Sequence, residues 1–126
     1  MAMRWFATAK QMEIWEEPVV WPIGDIEAAH RIRDICRAAA GSAEKAAGVR
    51  GSRPEHEVRR YERALRAALE IALKISDDLL RDSAVRQIVD LCLKADDLKT
   101  SRVLFRAIQA VSIREEVMRD HPQLRS

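Results

Sequence analysis

The sequence predicts an all-α fold: a small helical bundle, or helix-hairpin repeat-like array, of about five helices behind an irregular aromatic N-terminal arm. Three observations lead there. From residue 25 onward, apolar residues recur three and four apart over most of the chain. Only four glycines and four prolines occur in 126 residues, too few for a turn-rich β sandwich. Capping residues, rather than strand-and-turn signals, separate the apolar runs. With 48% hydrophobic and 33% charged residues, the chain has the composition of one folded domain and not of a disordered segment.

Residues 1–24 form the arm. They hold Trp5, Phe6, Trp15 and Trp21, four of the six aromatic residues, together with Pro18 and Pro22. Thr8 and Gln11 fit a capping box for a short helix through Glu16 that Pro18 stops, although Lys10 to Trp15 also reads as a strand. Large rings in such a segment dock on the body of the domain, because burying each contributes roughly 1.5–3 kcal/mol. Trp5, Trp15 and Trp21 are also the arm's candidate contacts to a partner.

Residues 25–126 form the helical domain. Its first helix is expected to open at Gly24-Asp25, with Asp25 as the cap and Ile26, Ala29, Ile32, Ile35, Cys36 and Ala39 as the apolar stripe. Gly41, Gly48 and Gly51 then predict a flexible loop over 41–53, because glycine is costly inside a helix. Ser52-Arg-Pro-Glu55 is a capping box with proline in the first turn. It starts a helix from about 54 to 75 whose seam runs through Val58, Tyr61, Leu65, Ala68, Ala72, Ile75 and Leu79, with Leu69, Ile71 and Leu73 widening it. Ser76-Asp77-Asp78 makes a tight corner, and a further stripe follows through Leu80, Ala84, Val85, Ile88, Leu91, Cys92 and Ala95. Asp96-Asp97 caps the next helix, striped by Leu98, Leu104, Phe105, Ile108 and Val111. A second capping box, Ser112-Ile-Arg-Glu115, introduces a short last helix ending near His121-Pro122.

Shifting the C-terminal half by 33 residues pairs Ile75 with Ile108, Leu80 with Ile113, Arg81 with Arg114, Asp82 with Glu115, Ala84 with Val117 and Arg86 with Arg119. A period near 34 with two helices per unit belongs to stacked hairpins. With Leu79-Leu-Arg-Asp82, Ala95-Asp-Asp-Leu98 and Ile113-Arg-Glu115, the stretch 68–120 resembles degenerate tetratricopeptide-like repeats. It lacks the Trp-x2-Leu-Gly-x2-Tyr signature of that family, and Asp96-Asp97 replaces the usual glycine-containing turn. The resemblance implies helix-lined surfaces that bind peptides or other proteins, and it assigns no binding residue. Similar turns with similar capping needs in an ordinary bundle would give the same pattern.

No catalytic constellation emerges, so the chain is expected not to be an enzyme and to carry no cofactor or metal. Glu27-Ala-Ala-His30 has the spacing of half a di-iron site, but His56 and His121 lack the second copy of the motif. Cys36 and Cys92 are too few and too far apart for a zinc site or a disulfide framework, and they read as free thiols of a cytoplasmic protein. No stretch is apolar for long enough to span a membrane. Net charge is +2, with residues 31–66 holding ten basic and five acidic groups. Arg59, Arg63 and Arg66 share one flank of the long helix, near Arg50, Arg53 and Arg60. Interleaved Glu55, Glu57, Glu62 and Glu70 make this flank a charge-laced solvated face rather than a clean phosphate-binding patch. The expected function is therefore a non-enzymatic protein–protein interaction module that binds a protein segment or its own copy as a homodimer. Nucleic-acid association through Arg50 to Arg66 is the alternative. The expected mark of the module is a contiguous apolar patch left exposed on the monomer.

Overall fold

A computed structural model describes residues 12–48 and 54–125. The described residues form five α-helices and no strand: α1 (Asp25–Ala47), α2 (Glu55–Ala72), α3 (Asp78–Lys94), α4 (Leu98–Ala107) and α5 (Val111–Asp120), with 3-10 turns at Ile14–Glu16 and Pro122–Leu124. α1 packs along α2 and α3, α2 along α3, and α3 along α4 and α5. The chain is a small helical bundle, as its periodicity requires.

α3 organises the core because it is apolar around most of its circumference. Ala84, Ile88, Leu91 and Cys92 enter a cluster with Ile32, Ile35, Ala39, Ala43, Tyr61, Ala64, Ala68 and Ile71. Val89 enters a second cluster with Phe105, Ile108, Ile113, Val117 and Leu124. A helix greasy on one stripe has one neighbour; a helix greasy on two sides ends in the middle.

Several helix ends differ from their sequence-based expectation. α1 does not stop at Gly41 but continues through residues 42–47, shortening the expected 41–53 loop. Ser42, Ala43 and Ala46 extend the buried stripe of Ala39, and this burial outweighs the roughly 1 kcal/mol that a helical glycine costs. Gly48 ends the helix at φ 73°, where a side chain would be strained. The Ser52 capping box lies outside the described residues, and α2 begins at Glu55 behind Pro54.

Asp25 is the first residue of α1 rather than its cap. Its carboxylate instead accepts from the backbone N–H groups of Ser76 (3.0 Å) and Asp77 (2.9 Å), clamping the start of α1 to the α2–α3 corner. Asp77 and Asp97 cap as expected, accepting from Leu80 N–H and Thr100 N–H. Asp96 takes the left-handed conformation (φ 59°) that a glycine would otherwise supply, and Asp96 N–H and Asp97 N–H close the end of α3 on the Leu93 and Cys92 carbonyls. Ser112 is not a cap, because α5 starts one residue earlier, at Val111. The buried carboxylate of Asp82 on α3 instead holds the entry to α5, accepting from Gln109 N–H (3.1 Å) and from N–H of the cap residue Ala110 (2.8 Å).

The described part of the arm packs on the body. Trp15 is buried between α1 and α2, with the Arg60 guanidinium 5.2 Å from its ring centroid. Arg60 Nε and Nη2 donate to the Glu13 carboxylate at 2.8 and 3.1 Å, and Nη1 donates to Ser42 Oγ at 2.8 Å. Arg60 thus pins arm, α1 and α2 together.

Candidate interaction surface

The candidate side chains fall into two groups. Trp15 belongs to the core, and its burial withdraws it from any partner. Trp21 is 47% exposed, and Trp5 lies outside the described residues. Arg59, Arg63 and Arg66 all face solvent, and Arg59 is closed by an ion pair with Glu55 one turn away. The arginine that organises this part of the molecule is Arg60, whose partner Glu13 lies 47 residues back and so gives no sequence signal. Among the described helices, α4 carries only positive charges, Lys99, Arg102 and Arg106.

Both cysteine thiols are held in their protonated form. Burial pushes the Cys36 thiol up to about 12 and the Cys92 thiol up to about 11, so both stay protonated near neutral pH. Glu27 and His30 are exposed, and no cluster of three or more His, Cys, Asp or Glu side chains able to hold a metal occurs among the described residues. Tyr61, the only tyrosine, is raised above its ordinary range, first by burial and then by Cys92 and Asp97. Its hydroxyl donates to Asp97 Oδ2 at 2.7 Å, tying α2 to the start of α4.

A raised phenol gives a pH prediction with a definite sign. The folded state holds this proton more tightly than the unfolded chain, so the stabilisation is fully present below the unfolded pKa of about 10 and is lost as pH rises beyond it. Absorbance at 295 nm should therefore show no phenolate while the helices persist, and should rise together with the loss of helical circular dichroism. Phenolate appearing near pH 10 in a still helical protein would contradict the burial of Tyr61.

Open hollows of about 270 to 460 Å³ mark the surface of the described residues. The one beside Tyr61 is lined by Val58, Glu62, Asp97, Leu98 and Lys99, a mixture with no convergent catalytic set.

The apolar surface is more distinctive. Eight large apolar side chains are exposed among the described residues, and five of them occupy one end of the bundle: Val20, Trp21, Ile26, Leu73 and Leu79. Asp25 explains the convergence. Its hydrogen bonds to Ser76 and Asp77 bring the first turn of α1, which carries Ile26, to the corner that follows Leu73 and precedes Leu79. The arm returns along α1 to reach the same end, held by Arg31 donating to the Glu17 carbonyl and by the half-buried Val19 and Ile23. Leu73, at 79% exposure, and Leu79, at 59%, were expected within the core seam. The helical spacing runs on past the point where the core ends, and only the fold shows where that is.

Comparison of the chain with protein-family models, with curated proteins and with solved structures finds no match in any of the three. Function is inferred from the surface itself.

Proposed function

We propose that this chain is a non-enzymatic protein-interaction module that docks a protein through the apolar end formed by Val20, Trp21, Ile26, Leu73 and Leu79. The observation that carries the proposal is that five exposed large apolar side chains lie on the chain segments that lead to and meet at the Asp25 clamp. Scattered single apolar residues are ordinary on a protein surface, whereas a contiguous group marks a contact site. Packing order gives further support. α1 and α3 lie side by side with α2 between them in sequence, and α3 and α5 with α4 between them, which is the adjacency of stacked hairpins. Degenerate tetratricopeptide-like repeats would give this order, and so would a bundle that only resembles them.

The test is site-specific photo-crosslinking in cells. With p-benzoylphenylalanine in place of Leu73, illumination should yield a discrete protein adduct identified by mass spectrometry, whether a second copy or another chain. The same group in place of Glu62, an exposed residue in the N-terminal half of α2, should yield none. Equal, diffuse labelling from both positions would sink the proposal.

A further inference from the structure

We infer that the groove between α1 and α3 binds a small organic anion with an apolar body, a short acyl or alkyl chain ending in a carboxylate or a phosphate. The inference is independent of the docking role proposed above and shares no residue with it.

Shape is the first argument. α1 contributes Arg33, Cys36, Arg37 and Ala40 to one hollow of about 360 Å³, and α3 contributes Gln87, Asp90, Leu91 and Lys94. On both helices the spacing is i, i+3, i+4, i+7, so each presents a single face two turns long. Seven steps at a rise of about 1.5 Å make a groove about 10 Å long, the length of an extended chain of about eight carbons. Its volume lies at the lower end for small-molecule sites, and a macromolecular partner needs a far larger face. Leu91 is buried and Cys36 and Ala40 are half-buried, which makes the floor apolar, while Arg37 and Lys94 stand exposed at the rim.

Charge is the second. Three cations and one carboxylate line the groove, and the carboxylate is already engaged: Asp90 Oδ1 lies 3.0 Å from His121 Nε2. Arg37 and Lys94 make no ion pair among the described residues, and Arg33 reaches only its neighbour Asp34, at 3.9 Å. The carboxylates on the adjoining turns do not line the groove. Asp34 and Glu44 flank it on α1, Asp96 lies in the hollow beside Tyr61, Asp97 holds Tyr61 and Thr100, and Asp120 pairs with Arg86. Cations drawn from two helices around one apolar floor repel each other until an anion lies among them, and guanidinium forks suit carboxylate and phosphate oxygens. An apolar body over Leu91, Cys36 and Ala40 with its head among Arg33, Arg37 and Lys94 answers both features at once.

Octanoate and octyl phosphate titrated into the full chain test this, with calorimetry reading affinity and amide chemical shifts reading place. A Kd of about 0.1–1 mM is expected for at least one of the two, with the shifts centred on residues 33–40 and 87–94. Neutral octanamide should bind at least about tenfold more weakly than the better anion, and Arg37→Gln combined with Lys94→Gln should weaken that anion about tenfold while helical circular dichroism is kept. Ala40→Trp, which fills the floor and leaves every charge in place, should abolish binding; if it unfolds the chain, the charge variant decides. No saturable binding below about 10 mM, octanamide matching the better anion, an affinity unmoved by the charge variant, or shifts centred on residues 20–26 and 73–79 would each overturn the site.

Discussion

Truncating Ile88 to alanine should cost about 3–4 kcal/mol of unfolding free energy, near the middle of the range for large-to-small changes in a closed core. Ile88 has no exposed surface, and it sits on α3, the helix around which both hydrophobic clusters are built. Neighbours on α1 and α2 surround it and are themselves held by packing on other sides, so the site cannot collapse to fill the void. Urea titration followed by helical circular dichroism should show an earlier midpoint with an unchanged slope. A loss below about 1 kcal/mol would mean that α3 is not the central helix.

Asp82→Ala should cost about 2–3 kcal/mol, and the damage should be local to one helix first. Asp82 is 2% exposed, and its Oδ2 receives the N–H groups of Gln109 and Ala110 at the entrance to α5. Removing the carboxylate leaves those donors without their acceptor and takes a negative charge from the positive end of a helix dipole. Asp82→Asn keeps the shape and one acceptor oxygen while losing the charge, and should cost about half as much. Amide hydrogen exchange gives the decisive pattern. Residues 109–120 should exchange faster in Asp82→Ala while α1 and α2 keep their protection. Uniform acceleration would show that Asp82 supports the whole fold rather than the start of α5.

Asp82 also shows which parts of the structure the sequence makes legible. α2, α3 and α4 could be placed because their information is local: apolar spacing of three and four, and the short-range caps Asp77 and Asp97. Ser112-Ile-Arg-Glu115 has the same local form and misleads, because α5 starts at Val111 and its entry is held by a side chain 28 residues away. Gly41 misleads in the other direction. Intrinsic propensity argues for a break, and burial of Ser42, Ala43 and Ala46 overrides it. Asp25 carries a capping residue's identity and spends its carboxylate on a corner 51 and 52 residues away.

The exposed apolar side chains near the Asp25 clamp are illegible in the sequence for a related reason. Ile26, Leu73 and Leu79 continue perfectly regular stripes, and nothing in their spacing separates a residue that meets the core from one that extends beyond it. The arm divides in the same way. Trp15 goes inward because Arg60 covers it and links it to Ser42 and Glu13, contacts that join residues 18 and 47 positions apart. Trp21 lies just ahead of α1 and has no such cover. The basic excess of residues 31–66 and the shared helix flank point to Arg59, Arg63 and Arg66, whereas the charge that shapes the fold sits on the inward-facing Arg60 between them.

If the apolar end serves a partner, it contributes little to the stability of the chain itself. Unfolding of a Leu73→Ser, Leu79→Ser double variant, followed by tryptophan fluorescence at about 0.2 µM so that association adds nothing to apparent stability, tests it most directly. The prediction is a midpoint equal to or above that of the parent chain, since solvent-facing leucines gain nothing from folding. A loss of about 2 kcal/mol or more, the signature of truncated core residues, would show that Leu73 and Leu79 belong to the interior and that this end of the bundle is not a docking face.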